Sequence, residues 1–294
     1  MSLVLHKLHS HDIFDLSQER RHALHVIRAA GRSAMACVPS PWISIWLPLS
    51  GDLEVQSAQC RWLLGSGDLL VWRDGPLQAS SRKPGWWLAV CGSPSAWARH
   101  MRPLPDEPAA EIFPEESACP RDLRRTIVRL ARALGRDNAS ARNAEPAADM
   151  LCSALAEHQA GLSLLLDRCN GRTRQRRQQT LMRLLRVQHL IRRHENCRFD
   201  LAYLAASANY SPCHLIRSYR EVFGETPFEY ATRLRAERAW RLVRDTRMPV
   251  CEITEAVGLE SQSAFCRAFK NVYGMTTSQA RNRLADEPPA ARAA

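Results

Sequence analysis

The sequence lacks the spacings by which metal-binding cysteines and membrane segments are usually recognised. Its ten cysteines form no CxxC pair and no Cys/His finger pattern, so no zinc finger is predicted, and most thiols are expected to be small buried side chains. No apolar run approaches the roughly 18 residues that a transmembrane helix needs. The N-terminus is broken by His6, Lys7 and Asp12 too early for a signal peptide. We therefore predict a cytoplasmic protein with reduced thiols and no membrane partner.

The first 170 residues also lack the usual patterns of catalysis. They contain no recognisable His/Glu metal set, no nucleophile motif and no phosphate-binding loop. The sequence therefore predicts no catalytic residue, no metal site and no cofactor.

Basic residues are concentrated in the last third of the chain. The sequence has 41 Lys plus Arg and 30 Asp plus Glu, and residues 172–283 hold 21 basic and 10 acidic side chains, whereas the remainder holds 20 of each. The formal net charge of +11 therefore lies entirely within residues 172–283. A basic module joined to a neutral one indicates a polyanionic partner for the basic part, nucleic acid before membrane. A solvated, Arg-rich surface is the alternative.

Residues of about 20 to 98 have the pattern of short strands. Apolar runs with Trp, Ile and Val are separated by Gly, Pro, Ser and Asp, which is typical of a small antiparallel barrel or sandwich. Seven of the eight tryptophans lie between Trp42 and Trp97. They either fill the interior or line an effector pocket with polar anchors. The predicted pocket residues are Trp46, Trp62, Trp72, Trp87, Arg61 and Arg73.

A Pro- and Glu-rich connector from 102 to 120 leads into two amphipathic helices. The first helix places apolar residues on one face at i, i+4, i+7 and i+11, and the second is rich in leucine. They are predicted either to pack on the barrel or to form a dimer interface. A basic, polar segment at 169–179 marks a domain boundary. The predicted apolar faces are Leu123, Ile127, Leu130 and Leu134, and Met150, Leu151, Ala154, Leu155, Leu162, Leu165 and Leu166.

The basic third contains a near repeat with an offset of fifty residues. The first copy, at 211–224, is SPCHLIRSYREVFG, and the second, at 261–274, is SQSAFCRAFKNVYG. Both begin with Ser, carry Arg at the seventh position and an aromatic residue at the ninth, and end with Gly. Upstream the offset is forty-nine, so the second copy has one extra residue in its turn.

Each copy predicts two short helices joined by a tight turn. In the first copy, Asp200 caps one helix, Asn209 takes the left-handed turn conformation, and Ser211 caps the next helix with Pro212 at its first position. Gly224 ends that helix. This is the pattern of a helix-turn-helix, whose second helix presents its outer residues to the DNA major groove. The inward residues are Leu215, Tyr219 and Phe223 in the first copy and Phe265, Phe269 and Tyr273 in the second.

These motifs, written LAxxxxxSPxHLxRxYRxxFGxTPxxY and RxxxAxxLVxxTxxxVxEITxxVGLxxxSAFxRAFKxxYG, resemble the DNA-binding domain of the AraC/XylS family of transcriptional regulators. The resemblance covers about residues 180–283. The sequence departs from the family at Thr254, where Ala is usual, and at Thr277 and Ala280, where Pro and Tyr are usual. The N-terminal half resembles the family's cupin-like effector domain only in the strand start Gly67-Asp68-Leu69-Leu70.

The resemblance implies an α+β fold with four parts. Residues 1–118 form a cupin-like antiparallel β-barrel that senses an effector, and residues 119–170 form a helical connector, a candidate dimerisation element. Residues 178–284 form an all-α DNA-binding domain with two helix-turn-helix units joined by a long helix. Residues 285–294 are predicted to be a disordered tail.

The predicted DNA contacts lie on the outer faces of the two recognition helices. Arg217 and Arg267 are candidates for guanine, Gln262 for adenine, and Ile216 with Cys213 for thymine methyl groups. The other base-reading candidates are Ser263 and Cys266, and the phosphate candidates are Ser211, Arg220, Ser261 and Lys270. A phosphate role for Arg217 and Arg267 stays open. The joining helix, 227–245, is about 28 Å long at about 1.5 Å per residue, near the ~34 Å of one DNA turn.

The resemblance implies a DNA-binding regulator, an activator controlled by a small molecule or a partner, acting on double-stranded DNA with RNA polymerase and as a possible homodimer. A fused enzyme is the alternative, with catalysis in the barrel or alkyl transfer to Cys213, since Pro212-Cys213-His214 also occurs around the reactive thiol of DNA alkyl-acceptor proteins. At such a site Arg would follow the His, whereas here Leu215 follows. Cys213 is therefore predicted to be an apolar contact.

Overall fold

We describe the protein from a computed structural model that covers residues 2–58, 61–73, 75–101, 111–135, 144–193, 200–259 and 261–286. Cys60, Cys197, most of the predicted connector at 102–110 and the predicted tail from 287 onward lie outside these ranges. Within them, no helix is both long enough and apolar enough to cross a membrane. The chain divides into two compact units, the first formed by Met1–Arg168 with Thr173–Gln178 and the second by Cys169–Arg172 with the residues from Gln179 onward.

The first unit is built mainly from eleven strands. In chain order they are β1 (Leu3–Leu8), β2 (Ile13–Asp15), β3 (Leu24–Gly31), β4 (Met35–Val38), β5 (Ile43–Ser50), β6 (Leu53–Ser57), β7 (Arg61–Leu64), β8 (Asp68–Trp72), β9 (Leu77–Ser80), β10 (Gly85–Gly92) and β11 (Glu115–Ala118). Short 3-10 turns lie at Leu16–Gln18 and Leu165–Arg168. Helices α1 (Pro94–Ala98), α2 (Arg121–Leu134), α3 (Glu145–His158) and α4 (Ala160–Leu164) complete the unit.

The strands form two hydrogen-bonded sheets. The larger has the order β1-β3-β10-β5-β8-β11 and the smaller β2-β4-β9-β6-β7. Pairing is antiparallel except between β1 and β3 and between β2 and β4, which run parallel. The predicted fold class, β-rich followed by all-helical, is confirmed, with the barrel present as two sheets that do not close into one.

Alternation along the strands gives the larger sheet two buried faces. On β5, Ile43, Ile45 and Leu47 join a core with Leu123 of α2 and Leu151 of α3, so both helices cover that face. The predicted apolar faces of these helices are buried at most positions, whereas Met150 is 49% exposed. Packing within the chain therefore accounts for the leucine-rich helices. The dimer alternative stays a prediction.

The opposite face of the larger sheet is lined by tryptophans and meets the smaller sheet. Trp46 and Trp87 lie 5.7 Å apart between ring centroids, and Trp62 of β7 contacts Trp72 of β8 edge-on at 5.0 Å. All four side chains are buried. The tryptophans therefore form much of the contact between the two sheets.

A pair of histidines lies at the other end of the same interior. His6 of β1 packs against Phe14 of β2 at 4.2 Å, and His25 of β3 stacks on Trp42 at 5.3 Å. Burial, followed by the neighbouring His25, lowers the pKa of His6 to about 4, so this imidazole is neutral at physiological pH.

The second unit is helical. Its helices are α5 (Arg174–Arg193), which begins before the division, α6 (Leu201–Ser207), α7 (Pro212–Phe223), α8 (Pro227–Asp245), α9 (Val250–Ala256), α10 (Gln262–Tyr273) and α11 (Thr277–Asp286). The residues that depart from the AraC/XylS pattern are accommodated here. Thr254 is buried and its hydroxyl donates to the Val250 carbonyl at 2.7 Å, and Ala280 packs in the core of α8 to α10.

Candidate nucleic-acid interface

The first helix-turn-helix consists of α6, a turn and α7. The Asp200 carboxylate accepts from the Ala202 amide at 2.8 Å and starts α6, and the Ser211 hydroxyl accepts from the His214 amide at 3.4 Å and starts α7. Between the helices Asn209 has φ 54°, and after α7 Gly224 has φ 80°. These capping and turn predictions are confirmed.

The inner face of α7 follows a 3.6-residue period more closely than expected. Leu215 and Tyr219 are buried as predicted, but Val222 is 1% exposed whereas Phe223 is only half-buried. Seven residues after Leu215 the helix has turned almost two full circles, and one residue later it has passed beyond the core. The inward placement of Phe223 is therefore met only in part. Its ring packs beside the buried Tyr219 at 4.6 Å.

The second helix-turn-helix consists of α9 and α10 and repeats this geometry. Gly258, with φ 72°, takes the place of Asn209, and Gly274, with φ 68°, takes the place of Gly224. The Ser261 hydroxyl accepts from the Ala264 amide at 3.1 Å. Phe265 and Phe269 are buried, and Tyr273 is half-buried.

The predicted DNA-contacting residues are exposed on both helices. On α7 these are Cys213, Ile216, Arg217 and Arg220 with the capping Ser211, and on α10 they are Gln262, Ser263, Cys266, Arg267 and Lys270 with the capping Ser261. Around Cys213, Ile216 and Arg217 the surface of α7 forms a shallow, mainly apolar depression. Each helix therefore presents a short mixed surface of apolar, hydroxyl and cationic groups, as a major-groove reader requires.

The cations on these two faces are available to a polyanion. Within the described parts of the chain, Arg217, Arg220 and Lys270 form no ion pair, and Arg267 is held only by its own helix, through Nε donating to the Ser263 carbonyl at 3.4 Å. Guanidinium and ammonium groups in this state can bind phosphates or base edges without first breaking an internal salt bridge.

The joining helix α8 differs, because two of its arginines have carboxylate partners. Arg233 donates to Glu225 at 2.7 Å and to Glu237 at 2.8 Å, and Arg244 pairs with Asp245 at 2.6 Å. The hydrogen bond that Arg233 donates to Glu225 is the main cause of the raised pKa of Arg233. A phosphate would have to replace these carboxylates before it could bind Arg233 or Arg244.

Helix α8 also fixes the spacing of the two units. Thr226 and Glu229 form a reciprocal capping box at its start. Near that end Tyr230 lies 6.2 Å from Tyr219 of the first helix-turn-helix, and near the other end Trp240 stacks on Phe269 of the second helix-turn-helix at 5.9 Å. Ala239 and Val243 are buried between α8 and the second helix-turn-helix. One rigid helix therefore contacts a recognition helix at each end.

Several positioning residues were missed by the sequence analysis. Tyr210 receives the His214 ring edge-on at 4.6 Å and carries the Arg183 guanidinium over its face at 5.6 Å. Tyr230 and Trp240 of α8 were not predicted to contact the recognition helices. Aromatic residues near both ends of a long amphipathic helix are the one signal that could have indicated them.

The predicted effector residues are divided by the structure. The four tryptophans come together in the interior of the first unit, whereas Arg61 pairs with Glu54, and Arg73 donates to Glu111 at 2.9 Å and to the Ile112 carbonyl at 2.7 Å. Both arginines thus have internal partners. Their role as polar anchors of a ligand stays a prediction.

Two helix-turn-helix units with exposed, cationic recognition helices on one connecting helix define a DNA-binding domain. Residues 204–283 match the family model described as a helix-turn-helix domain. Over 94 residues the chain is 32% identical to the MmsAB operon regulatory protein of Pseudomonas aeruginosa, covering 32% of this chain and 31% of that protein. Residues 204–283 are therefore a helix-turn-helix domain of the AraC type.

Other relatives are similar to the chain over stretches of comparable length. The chain is 34% identical over 86 residues to the RCS-specific HTH-type transcriptional activator RclR of Escherichia coli, covering 29% of this chain and 30% of that one. It is 37% identical over 83 residues to a Streptomyces antibioticus protein described as an AraC-like transcription regulator, covering 28% and 27%. A solved C-terminal domain of AraT from Geobacillus stearothermophilus is 30% identical, covering 34% of this chain and 84% of that one, with a TM-score of 0.33. The chain spans about a third of the length of these curated relatives.

Proposed function

We propose that this protein is a sequence-specific, DNA-binding transcriptional regulator. The observation that carries the proposal is the pair of recognition helices. Each begins at a serine cap, each exposes an arginine at the same place, Arg217 or Arg267, and both are contacted by α8. A helix of 19 residues spans about 28 Å, which suits two helices entering successive major-groove segments on one face of DNA.

Within this proposal the base-reading residues are Cys213, Ile216 and Arg217 on α7 and Gln262, Ser263, Cys266 and Arg267 on α10. Arginine suits guanine, glutamine suits adenine, and the small or apolar side chains suit thymine methyl groups. Ser211, Arg220, Ser261 and Lys270 are proposed to hold phosphates and to set the salt dependence of binding.

The decisive experiment is a selection of duplex DNA from a random library with the full chain at fixed salt. We expect an enriched site with two blocks about 10 base pairs apart. The matched control is Glu252→Gln, an exposed change on α9 outside both recognition helices. If the wild-type protein enriched no particular sequence at a salt concentration at which it still binds DNA, sequence-specific binding would be contradicted.

The first unit is proposed to be the regulatory part. A small-molecule effector bound near Trp46, Trp62, Trp72 and Trp87 would change how the protein acts on DNA and RNA polymerase, with activation the expected direction and a homodimer the expected form. Titration of candidate metabolites while tryptophan emission is followed tests this, because the four rings lie in one interior. A broad effector panel that changes neither the emission nor the melting temperature would contradict it.

The competing reading is a fused enzyme that uses Cys213. The similar relatives are transcriptional regulators, Cys213 is exposed on the recognition face, and the neighbouring His214 ring packs on Tyr210. These observations favour a groove contact. Transfer of an alkyl group from alkylated DNA to Cys213, detected by mass spectrometry of the protein, would overturn that choice.

A further inference from the structure

The β-rich first unit brings together three potential metal ligands whose spacing in the sequence matches no known metal-binding motif. His6 of β1, His25 of β3 and Glu19, which precedes β3, place one ligand atom each within 4.8 Å of one another. No His/Glu set was predicted in this half of the chain. His6 and His25 share one face of the sheet because β1 and β3 pair in parallel, with His6 beside Ile27 and His25 beside Val4.

The histidine pair has the spacing of two ligands of one ion. His6 Nε2 lies 3.0 Å from His25 Nδ1. Two nitrogens bound to one tetrahedral zinc at about 2.0–2.1 Å are separated by about 3.3 Å. A shared ion would need this separation to widen by a few tenths of an ångström, both rings to turn so that the two lone pairs converge, and His6 to carry its proton on Nδ1 in place of Nε2.

The orientation of His25 is fixed by its other nitrogen. Nε2 lies 3.0 Å from the backbone carbonyl of Arg20, and since a carbonyl only accepts, Nε2 carries the proton. His25 Nδ1 therefore presents its lone pair toward His6. A metal-bound histidine typically donates its second N–H to a backbone carbonyl or carboxylate in this way. Stacking on Trp42 at 5.3 Å and complete burial hold the ring in place.

Glu19 supplies the third donor and the negative charge. Its carboxylate lies 4.0 Å from His25 Nδ1, and its side chain is 31% exposed. Its backbone is fixed by an amide hydrogen bond to the Leu16 carbonyl at 3.1 Å. An inward rotation of this partly exposed side chain, with the backbone anchor unchanged, would bring the carboxylate to the position of a third ligand.

We propose that His6, Glu19 and His25 bind one divalent transition-metal ion in the first unit. Two imidazoles and one carboxylate are a donor set that zinc uses with three protein ligands and a fourth position for water or another small ligand. The ion would tie β1, β3 and the segment before β3 together in the interior between the two sheets. This inference is independent of DNA binding by the second unit.

The first test is calorimetric titration of untagged full-length protein with Zn²⁺. We expect one ion per chain, with affinity lowered at least tenfold in Glu19→Gln and abolished in His6→Ala. The matched control is His22→Gln, an exposed histidine near the site that should leave binding unchanged. Glu19→Gln is the variant least able to disturb folding, since its side chain is partly exposed. Equal Zn²⁺ affinity in wild type and Glu19→Gln, or no binding by the folded wild type, would overturn the proposal.

A second test reports the position of the ion. Co²⁺ or Cu²⁺ bound to His25 should quench Trp42, whose ring stacks on this histidine. Saturable quenching should be lost in Trp42→Phe and in His6→Ala, while His22→Gln keeps it. Quenching that survives in His6→Ala would place the ion elsewhere and would leave His6 and His25 as an ordinary buried hydrogen-bonded pair.

Discussion

The two helix-turn-helix units share an interior and differ in their exteriors. Both second helices begin with a serine cap, bury an aromatic residue at the ninth position and end at a left-handed glycine. Outside, Cys213 and Ile216 of α7 correspond to Ser263 and Cys266 of α10. Packing and backbone geometry restrict the inner positions, whereas the outer positions are free to differ. Two copies of one scaffold can therefore read different DNA sequences.

The interiors also differ in one informative place. At the end of α7 the core is closed by Val222, and Phe223 is half-buried. At the end of α10 Val272 is 55% exposed, and Tyr273 packs on Trp240 at 4.7 Å instead. The difference follows from α8, whose Tyr230 packs near α7 and whose Trp240 packs on α10. Each unit is thus fitted to its own end of the joining helix.

The largest expected effect is loss of the second core. Phe265→Ala should destabilise α9 and α10 by about 3–5 kcal/mol, because a buried aromatic ring is replaced by a cavity. Leu215→Ala should lower the free energy of unfolding of the first helix-turn-helix by about 2–5 kcal/mol. Amide hydrogen exchange, read separately for α7 and α10, measures both effects.

The matched control for the second core is Val272→Ala, on the same helix but exposed, with an expected change within about 0.5 kcal/mol. In Phe265→Ala the loss of protection should be greater in α10 than in α7. Equal loss of protection in both helices would show that the two units unfold as one, and the comparison between them would then lose its energetic meaning.

The next effect concerns the arginines at equivalent positions of the two outer faces. Arg217→Ala and Arg267→Ala should each weaken DNA binding by about 1–3 kcal/mol and relax preference at separate base positions about 10 base pairs apart. Binding-site selection with each variant at fixed salt measures this. Lys270→Ala is the contrasting variant, expected to weaken all sequences about equally and to reduce the salt slope by about one unit.

If both arginine variants relaxed the same base position, the two-segment docking geometry would be wrong. If neither changed the preferred sequence while both lowered affinity, the arginines would be reassigned to the phosphates. Either result would mean that Arg217 and Arg267 have the same role in DNA binding and do not read different bases.

Sequence patterns were sufficient for features set by local geometry. Serine caps, a proline at the first helical position and glycines or asparagine at positive φ each have a short-range cause, so both helix-turn-helix units could be located before the structure was known. The strand-rich character of the first unit was visible for the same reason, because alternation of apolar residues is a local signal.

Features set by strand pairing could not be read from the chain. His6 lies near His25 only because β1 pairs in parallel with β3, and no spacing rule predicts that pairing. The half-burial of Phe223 has a different cause. Val222 is buried in α7, whereas in α10 the equivalent Val272 is exposed and Tyr273 packs on Trp240, so the side chain that α8 presents to each helix decides which residue closes the core, and helical spacing alone does not show it.

A smaller effect should distinguish the two serine caps. Ser261→Ala should destabilise α10 by about 1 kcal/mol, and Ser211→Ala should cost α7 less, since Pro212 already fixes the backbone at the first position of α7 whereas α10 has Gln262 there. Chemical denaturation followed by exchange at each helix measures both. Ser261→Asp should keep the cap yet weaken DNA binding if this position faces a phosphate. Equal costs for the two alanine variants would remove the proposed influence of Pro212.

The smallest expected effect is at Cys213. Cys213→Ser replaces an exposed thiol by a hydroxyl of similar size, so DNA affinity should fall by about 1 kcal/mol or less, with any change in preference confined to one base position in the α7 block. Cys266→Ser on α10 is the matched variant, and its change should fall in the other block. Fluorescence anisotropy with the selected site and with single-base variants of that site resolves differences of this size. A groove contact is one of several, whereas a reactive thiol is indispensable. If Cys213→Ser kept wild-type DNA affinity but lost all regulatory activity, Cys213 would be assigned a chemical role. The two outer faces would then differ in kind as well as in the sequence they read.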